Sequence, residues 1–471
     1  MIDMWSGGAA LMRSLAVVLT VTALAGSRGF GAEDQPQATP ATWRVGVARR
    51  DITPKGPIWM AGYAMRNHPS EGAVHPLWAK ALAVEDAEGQ RAVIVTTDLI
   101  GLVREVSDPV CERVEQSLGL PRQRVLLNSS HTHCGPVIRK CAEVTYGLDA
   151  HQSEIIASYT QQLEDHLVAV IEEACGAMQP ATLAYGEGEA TFAINRRKPV
   201  DDGQGIGENP QRPVDHTVPV LAARAEDGRL LAVLFGYACH NTTTPIYQLN
   251  GDYAGFAQLA LEEQHPGTTA LFMIGCGADA NPAPRGELAL AQQHGQALGQ
   301  SVDSVLAQPM QPVHSRLRTA FARVELPLVD PPSREAVLEL ATAENVYQQR
   351  LAKLLIQRYD ADGALPDSYP FPVQVMRFGS EFSLIGLAGE TLVDYAFRLR
   401  NELAGERLWV AGYCNEVFAY IPSERVLQEG GYEGGDAMVY YGFHGPFRPG
   451  LEDRIVGLVK QLMDQCAAGS P

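Results

Sequence analysis

Two histidines, one residue apart, follow a short apolar run in the first third of the chain. Residues 125–127 are Val-Leu-Leu, three polar residues come next, and then His131 and His133. In an extended chain the side chains at i and i+2 point to the same side, and imidazole nitrogens are common zinc ligands. Gly135 and Pro136 then interrupt regular structure. The spacing indicates a metal site at the end of a strand, although many His-x-His pairs are surface or hydrogen-bonded core histidines.

Other polar residues also come after apolar, strand-like runs. They are His240 after residues 229–237, Asp279 and Asn281 after residues 270–274, Glu390 after residues 381–386, and Tyr420 within residues 417–421. Taken singly, each is more typical of a structural or core-edge residue. The small residues of loop 275–282 would let backbone approach a ligand closely, or they form a plain tight turn. The repetition of the pattern favours a catalytic centre built at strand ends.

A local basic cluster interrupts an acidic sequence at residues 195–199, Asn-Arg-Arg-Lys-Pro, and includes Arg196. Such a run of charge is most often a solvated loop. The alternative is a clamp for an anion or a carbonyl oxygen, since a guanidinium group donates several hydrogen bonds from one plane. The sequence pattern leaves both interpretations open.

Hydrophobic periodicity predicts strands that alternate with helices along most of the chain. Strands are predicted at 43–52, 78–84, 91–99, 125–127, around 183, 218–222, 229–237, 270–274, 373–378, 381–386 and 408–414, and helices at 108–118, 154–175, 286–306, 334–358 and 451–466. Residues 430–435, around Tyr432, are predicted to be a flexible loop. The alternation indicates an α/β fold in which mixed β-sheets are layered with helices. We expect a single large catalytic domain over residues 43–471.

The composition excludes some classes of protein. The chain has 471 residues, 46% hydrophobic content and a formal net charge of -18. No nucleic acid partner is expected, because nucleic-acid-binding proteins normally carry a basic face. Eight cysteines without a Cys-x-x-Cys pair do not suggest a disulfide scaffold. Cys134, Cys239 and Cys276 lie near the proposed site loops and are expected to be small buried residues rather than ligands.

The N-terminus has the pattern of an export signal. Arg13 precedes an apolar stretch at residues 15–25, and small residues that suit cleavage follow. We therefore expect a signal peptide at residues 1–32, a tether at residues 33–42, and an exported protein, periplasmic or extracellular. An uncleaved membrane anchor is the alternative, but the stretch is short for a membrane span.

Several ordered motifs of the chain resemble the neutral/alkaline (non-lysosomal) ceramidase family, from residue 43 to about residue 445. The most specific motif is His131-Thr132-His133-x-Gly135-Pro136. The others are Val45-Gly46-Val47-Ala48 with Asp51-Ile52-Thr53, Met60-Ala61-Gly62-Tyr63, His75 with Trp78-Ala79-Lys80-Ala81, Thr97-Asp98-Leu99, Asn195-Arg196, Asp279-Ala280-Asn281-Pro282, Glu390, Gly412-Tyr413 with Asn415, Tyr420, and Tyr432-Glu433-Gly434-Gly435. Their number and order carry the resemblance.

The resemblance implies a zinc-dependent amidase that cleaves the N-acyl bond of ceramide or a related N-acyl lipid through a zinc-activated water. It implies Zn²⁺ as the cofactor. The ligands it implies are His131, His240, Glu390 and Tyr420. The substrate would be a lipid or an N-acyl small molecule, and such a substrate allows association with a membrane surface.

The resemblance also places further residues at the reacting bond. His133 would carry a proton to the leaving nitrogen, since an unperturbed imidazole titrates near ~6.5. Tyr432 and Arg196 would donate hydrogen bonds to the developing oxyanion. Asp279 and Asn281 would contact substrate.

The chain departs from the family pattern at three places. Cys134 and Asn281 stand where the family has serine, and the C-terminal immunoglobulin-like domain of typical members is not expected here. Without serine at position 281, a serine-nucleophile mechanism cannot apply, whereas a zinc-water mechanism keeps all of its ligands. Two alternatives therefore stay open. One is a catalytically idle zinc-binding relative, and the other is a zinc esterase or amidase that acts on a substrate other than ceramide.

Overall fold

Strands and helices alternate along residues 43–201, 203–314 and 316–468, which the computed structural model describes. The strands are β1 (Trp43–Asp51), β2 (Trp78–Asp86), β3 (Arg91–Thr97), β4 (Val125–Ser129), β5 (Gln179–Glu189), β6 (Ala193–Asn195), β7 (Arg197–Val200), β8 (Gly203–Ile206), β9 (Thr217–Ala225), β10 (Leu230–Tyr237), β11 (Thr269–Ile274), β12 (Ala280–Pro282), β13 (Gln311–Val313), β14 (Leu317–Pro327), β15 (Ser368–Phe378), β16 (Phe382–Leu387), β17 (Glu390–Thr391), β18 (Leu408–Ala411) and β19 (Tyr420–Ile421). The helices are α1 (Arg104–Leu118), α2 (Ala150–Gly176), α3 (Asp252–Gln264), α4 (Leu288–Leu306), α5 (Arg334–Leu340), α6 (Val346–Asp362), α7 (Val393–Glu402), α8 (Glu424–Glu429), α9 (Gly431–Gly434) and α10 (Leu451–Ala468), with short 3₁₀ helices at Arg122–Arg124 and Asp436–Val439.

The predicted signal peptide, residues 1–32, and tether, residues 33–42, lie outside the described residues. Within the described part of the chain, none of the helices has both the length and the apolar character needed to cross a membrane.

The larger of the two main sheets is mixed. Its strand order is β11-β10-β9-β5-β1-β2-β3-β4, with β13 added beside β5. Strands β3 and β4 run parallel, as do β10 and β11, and the other neighbours are antiparallel. The two edge strands come together near their carboxyl ends, where the amide of Ile274 donates to Asn128 Oδ1 at 3.2 Å. The ends of these strands therefore meet, as the sequence pattern suggested.

A second sheet packs against the first. It has the order β14-β15-β16-β18. Leu82 and Leu234 from the larger sheet share one buried core with Leu384 and Trp409 from the smaller one. Alternate residues of the same strands face outward, where helices α1 to α4 cover the larger sheet and α7 and α10 cover the smaller. The α/β prediction of mixed sheets layered with helices is confirmed.

Two predicted elements are wrong. The long helix at residues 334–358 is two helices, α5 and α6, because Asn345 caps the second by accepting a hydrogen bond from the amide of Tyr347 at 2.8 Å. Residues 430–435 are not a loop throughout, since Gly431–Gly434 form one helical turn, α9. At residues 334–358 the apolar pattern predicted helix but not the polar cap that interrupts it, and helix α3 was not predicted.

Candidate metal centre and active site

Three imidazoles meet between the carboxyl ends of β4 and β10. One ring nitrogen from each of His131, His133 and His240 lies within 4.8 Å of the other two, as in a site that could hold a metal ion. His131 Nε2 is 3.1 Å from His133 Nε2. The chain does not stay extended through this motif, because His131 has a left-handed φ of 62°. That turn, rather than a plain i, i+2 spacing, directs the two rings at each other.

Backbone carbonyls fix the orientation of two of these rings. His131 Nδ1 lies 2.6 Å from the carbonyl oxygen of Ile100, and His240 Nδ1 lies 2.9 Å from that of Gly277. A ring nitrogen that donates to a carbonyl must carry the proton, so Nε2 of each ring keeps its lone pair. Metal-binding histidines characteristically have this arrangement.

A two-residue strand pair brings a carboxylate and a phenol to the same place. Strands β17 and β19 pair in parallel, with Glu390 directly opposite Tyr420. Glu390 Oε2 lies 3.2 Å from His131 Nε2 and 3.2 Å from His240 Nε2. The Tyr420 hydroxyl lies 3.4 Å from His240 Nε2. The structure therefore brings together all four residues predicted as metal ligands.

The spacing of these donors fits Zn²⁺. Donor atoms of a tetrahedral site with bonds of about 2.0–2.2 Å lie roughly 3.3–3.5 Å apart. The separations of 3.2 Å and 3.4 Å between the imidazole, carboxylate and phenol atoms are close to that value. Two nitrogen and two oxygen donors also suit zinc chemically. His133 Nε2 lies 3.1 Å from His131 Nε2, so His133 would either carry a proton beside a bound ion or act as a ligand itself.

The protonation states of the cluster suit a cation. Burial alone would raise the pKa of Glu390, but the adjacent imidazoles of His131 and His240 hold it well below its usual range. Burial and the Arg196 guanidinium lower the pKa of His240 to about 4. At neutral pH the carboxylate is therefore ionised and His240 is neutral. These are the forms that bind metal.

Arg196 lies beside the cluster and hydrogen-bonds side chains next to it. Its guanidinium donates to the Tyr420 hydroxyl at 2.9 Å and to Glu433 Oε1 at 2.8 Å. Burial raises the pKa of Tyr420 well above its usual value, and the positive charge of Arg196 acts in the opposite direction. The basic cluster of residues 195–199 is thus not simply a solvated loop, because Arg196 is 6% exposed and points inward.

Comparison with known proteins decides the family. The sequence profile described as neutral/alkaline non-lysosomal ceramidase, N-terminal, matches residues 43–293, more than half of the chain. The chain belongs to the neutral/alkaline ceramidase family.

Curated relatives in this family are distant. Neutral ceramidase A of Dictyostelium discoideum is 27% identical over 247 residues, which cover 49% of this chain and 33% of that protein. Neutral ceramidase of Pseudomonas aeruginosa is 24% identical over 533 residues, which cover 97% of this chain and 77% of that protein. The matched part thus spans only a third of the first relative and about three quarters of the second.

A solved ceramidase structure has a similar fold. The neutral ceramidase structure from Pseudomonas aeruginosa aligns with a TM-score of 0.67 at 21% sequence identity, covering 90% of this chain and 75% of that one. At this identity the likeness concerns the fold alone.

Of the two residues predicted to contact substrate, Asn281 borders the cluster, whereas Asp279 is bonded to the protein around it. Asn281 Oδ1 lies 3.3 Å from Arg196 Nη1, so its amide borders the cluster. Asp279 is fully buried, and its carboxylate accepts hydrogen bonds from the amide of Val393 at 3.1 Å and from Asn195 Nδ2 at 2.9 Å. Both Asp279 oxygens are thus bonded to protein, and the residue ties β6 to the start of α7.

The remaining predicted residues also lie near the cluster. The Tyr432 ring, on α9, lies 5.3 Å from the Tyr420 ring. Cys134 is buried, as expected, and its thiol donates to the carbonyl oxygen of Thr244 at 3.2 Å. Burial raises the pKa of that thiol to about 12, which keeps it protonated and unsuited to bind metal.

Three residues of the site were not among the predictions. Glu433 accepts from both Arg196 and Arg197, and Tyr413 lies 3.4 Å from Glu390 Oε2 through its hydroxyl. Both belong to motifs that carried the family resemblance, so these motifs could have identified Glu433 and Tyr413 as site residues. Tyr441 donates to Glu390 Oε1. Its sequence context, Val-Tyr-Tyr-Gly, gave no indication of that role.

Proposed function

We propose that this protein is an exported, zinc-dependent hydrolase that cleaves the N-acyl amide bond of ceramide or a related N-acyl lipid. The observation that supports this most is the meeting of His131, His240, Glu390 and Tyr420 in one buried cluster. Membership of the neutral/alkaline ceramidase family and relatives described as neutral ceramidases support the substrate class. The exported location rests on the signal peptide predicted at residues 1–32.

The four residues of this cluster would hold Zn²⁺. When bound there, zinc supplies Lewis acidity, which lowers the pKa of water and polarises a carbonyl oxygen. Burial of the donors excludes bulk water and strengthens each electrostatic interaction. The reaction adds water across the amide, so the acyl carbon gains a hydroxyl group and the nitrogen gains a proton. The products are a fatty acid and a free amine.

His133 is the residue best placed to move the proton. Burial and the neighbouring imidazoles of His131 and His240 lower its pKa well below its usual value, so the ring is neutral at neutral pH. A neutral imidazole can accept a proton from attacking water and then give it to the leaving nitrogen. Its Nδ1 has no hydrogen-bond partner among the described residues, so the ring is not committed elsewhere.

Arg196 and Tyr432 would stabilise negative charge on the acyl oxygen. Burial raises the pKa of Tyr432 well above neutrality, so its phenol keeps its proton and can donate. The guanidinium of Arg196 lies over the Tyr432 ring, with Cζ 5.9 Å from the ring centroid. One such donor aimed at a developing oxyanion is typically worth about 3 kcal/mol of barrier.

One observation supports a second candidate, an idle relative that keeps the zinc site for binding or stability. Asn281, in place of serine, fills the position beside Arg196. Such a protein would hold zinc and turn over no N-acyl substrate. An esterase or amidase with another substrate would hold zinc and prefer that substrate.

The test compares a fluorescent N-acyl sphingosine with a matched ester of the same acyl chain, and mass spectrometry identifies the products. We expect the amide to yield a free fatty acid and sphingosine. Cleavage of the ester alone would favour the esterase. Stoichiometric zinc with no cleavage of either substrate would favour the idle relative and contradict the proposal.

A further inference from the structure

The two oxygens of the Glu390 carboxylate have different neighbours. Oε2 faces the imidazoles of His131 and His240, at 3.2 Å from each Nε2. Oε1 accepts a hydrogen bond from the phenol of Tyr441. Glu390 is 1% exposed, so protein groups rather than bulk water determine the orientation of its carboxylate. Oε2, which the Tyr413 hydroxyl also reaches at 3.4 Å, is thus the oxygen directed at the imidazoles, and Oε1 is the oxygen held by Tyr441.

The backbone next to Tyr441 is fixed by a hydrogen bond from helix α6. Tyr441 follows the 3₁₀ helix Asp436–Val439, and the next carbonyl oxygen, of Gly442, accepts from Arg358 Nη1 of α6 at 2.6 Å. The Tyr441 ring lines a separate cavity of about 220 Å³ together with Arg104 and Phe418. The phenol therefore stands between this cavity and Glu390. The backbone next to Tyr441 is anchored to helix α6, which contributes none of the residues of the cluster described above.

We infer that Tyr441 is a positioning residue that makes Glu390 a one-oxygen ligand by occupying its Oε1. This inference rests on the proposed zinc site. A carboxylate whose second oxygen is free can rotate or bind an ion through both oxygens, which would change the number of positions left for water and substrate. Loss of a hydrogen-bond partner behind a metal ligand typically weakens metal binding about 10–100-fold. Tyr441 acts through Glu390 and touches no reacting atom.

The neighbouring tyrosine provides a matched control. Tyr440 packs its ring against Tyr347 at 5.1 Å between centroids, on the side of helix α6. Changing either tyrosine to phenylalanine removes one hydroxyl group from the same short segment. Of the two changes, only the one at 441 removes the hydroxyl that donates to Glu390 Oε1.

The experiment measures the zinc dissociation constant by competition with a chelator, for wild type, Tyr441→Phe and Tyr440→Phe, together with thermal unfolding of the metal-free proteins. We expect Tyr441→Phe to raise the zinc dissociation constant about 10–100-fold while the metal-free protein still folds, and Tyr440→Phe to leave the dissociation constant unchanged. Wild-type affinity in Tyr441→Phe would overturn the inference. Failure of the wild type itself to bind zinc would overturn the proposed function and the inference together, so the two failures are distinguishable.

A second pair of variants covers the case in which Tyr441→Phe does not fold. Tyr441→His keeps a hydrogen-bond donor, and Tyr441→Met fills comparable space without one. The inference predicts tighter zinc binding in the histidine variant than in the methionine variant. Equal affinities in the two would contradict it.

Discussion

At the scale of single residues, Arg196 contacts both a proposed zinc ligand, Tyr420, and a residue predicted to contact substrate, Asn281. Its guanidinium bonds the Tyr420 hydroxyl, Glu433 and Asn281. The contact with Asn281 explains how an amide can stand where the family has serine, because its oxygen accepts from the guanidinium. Under the proposed zinc mechanism the amide would have a supporting role, and no nucleophile would be required at this position.

Changing Asn281 to serine should therefore lower activity rather than restore it. Serine is shorter and cannot be expected to reach Arg196 Nη1, which is 3.3 Å from the present amide oxygen. A hydrogen bond to a charged group contributes about 1.5–3 kcal/mol, so we expect kcat/KM to fall roughly 10- to 150-fold with zinc content unchanged. Initial rates on an N-acyl sphingosine and metal analysis check this. A rise in turnover would mean that position 281 needs a hydroxyl group.

At the scale of elements, the site depends on strands from both sheets and on the loops that follow them. Strands β4 and β10 of the larger sheet end at the histidines, while the short pair β17–β19 follows the smaller sheet. The isolated bridges between Asn128 and Cys414 and between Gly275 and Ala411 join the two sheets at this point. A movement of one sheet against the other would separate Glu390 from the imidazoles.

A glycine in the loop after β1, Gly62, leaves the space that the ring of His133 occupies. A Cβ atom on Gly62 would lie 2.3 Å from His133 Cγ, whereas one on Gly72 would meet no heavy atom within 4 Å. Both glycines have a positive φ, of 96° and 124°, so alanine strains the backbone at either position. We expect Gly62→Ala to lower kcat about 100-fold because it displaces the ring, and Gly72→Ala to change kcat little.

The zinc content of these two variants distinguishes a His133 that carries protons from a His133 that binds zinc. If His133 carries protons and is not a ligand, Gly62→Ala keeps its zinc while it loses turnover. Loss of zinc in Gly62→Ala, but not in Gly72→Ala, would show that His133 is a ligand and would contradict its assignment as proton carrier.

The burial of Asp279 between β6 and α7 should give the stability of the protein a pH dependence. Burial raises the pKa of Asp279 from its ordinary 3.8 to about 6, so the folded protein holds this proton more tightly than the unfolded protein does. The contribution of this group to stability is therefore lost as the pH rises from about 4 to about 6, by about 2–3 kcal/mol. Asp279→Asn cannot ionise, so we expect the stability difference between wild type and variant to shrink over that range. Urea unfolding of the metal-free proteins measures it, and a constant difference would contradict the buried, protonated carboxyl.

Sequence reasoning found the elements that apolar periodicity defines and the residues that a motif contains. Strands β4, β10 and β11 were predictable because each is a continuous apolar run that ends in polar residues. Strand β14, in contrast, was not predicted, because Arg318, Arg323 and Glu325 break its pattern. Tyr441 was unpredictable for another reason. Its role depends on where the segment after α9 meets Glu390, and no local pattern encodes that meeting.

At the scale of the whole molecule, the protein is strongly acidic and the proposed substrate lies in a membrane. The formal net charge is -18. If the protein meets its lipid at a membrane surface, repulsion between it and anionic lipid acts over a Debye length of about 8–10 Å at moderate salt.

We accordingly expect the charge of the membrane to control the rate. Ceramide in vesicles of neutral phospholipid should be cleaved several-fold faster than ceramide in vesicles with anionic lipid, and added salt of about 1 M should close the gap. A water-soluble short-chain amide, measured with the same vesicles present, is the control and should show no such difference. Faster cleavage on anionic vesicles would contradict surface access governed by net charge.

The most direct test of the account is to return zinc to metal-free protein while following cleavage of an N-acyl sphingosine, in wild type and in His131→Ala. We predict that turnover rises in proportion to bound zinc, up to one ion per chain, and that the variant neither binds zinc tightly nor cleaves the amide. Full turnover by the metal-free wild type would contradict the claim that His131, His240, Glu390 and Tyr420 hold a catalytic zinc.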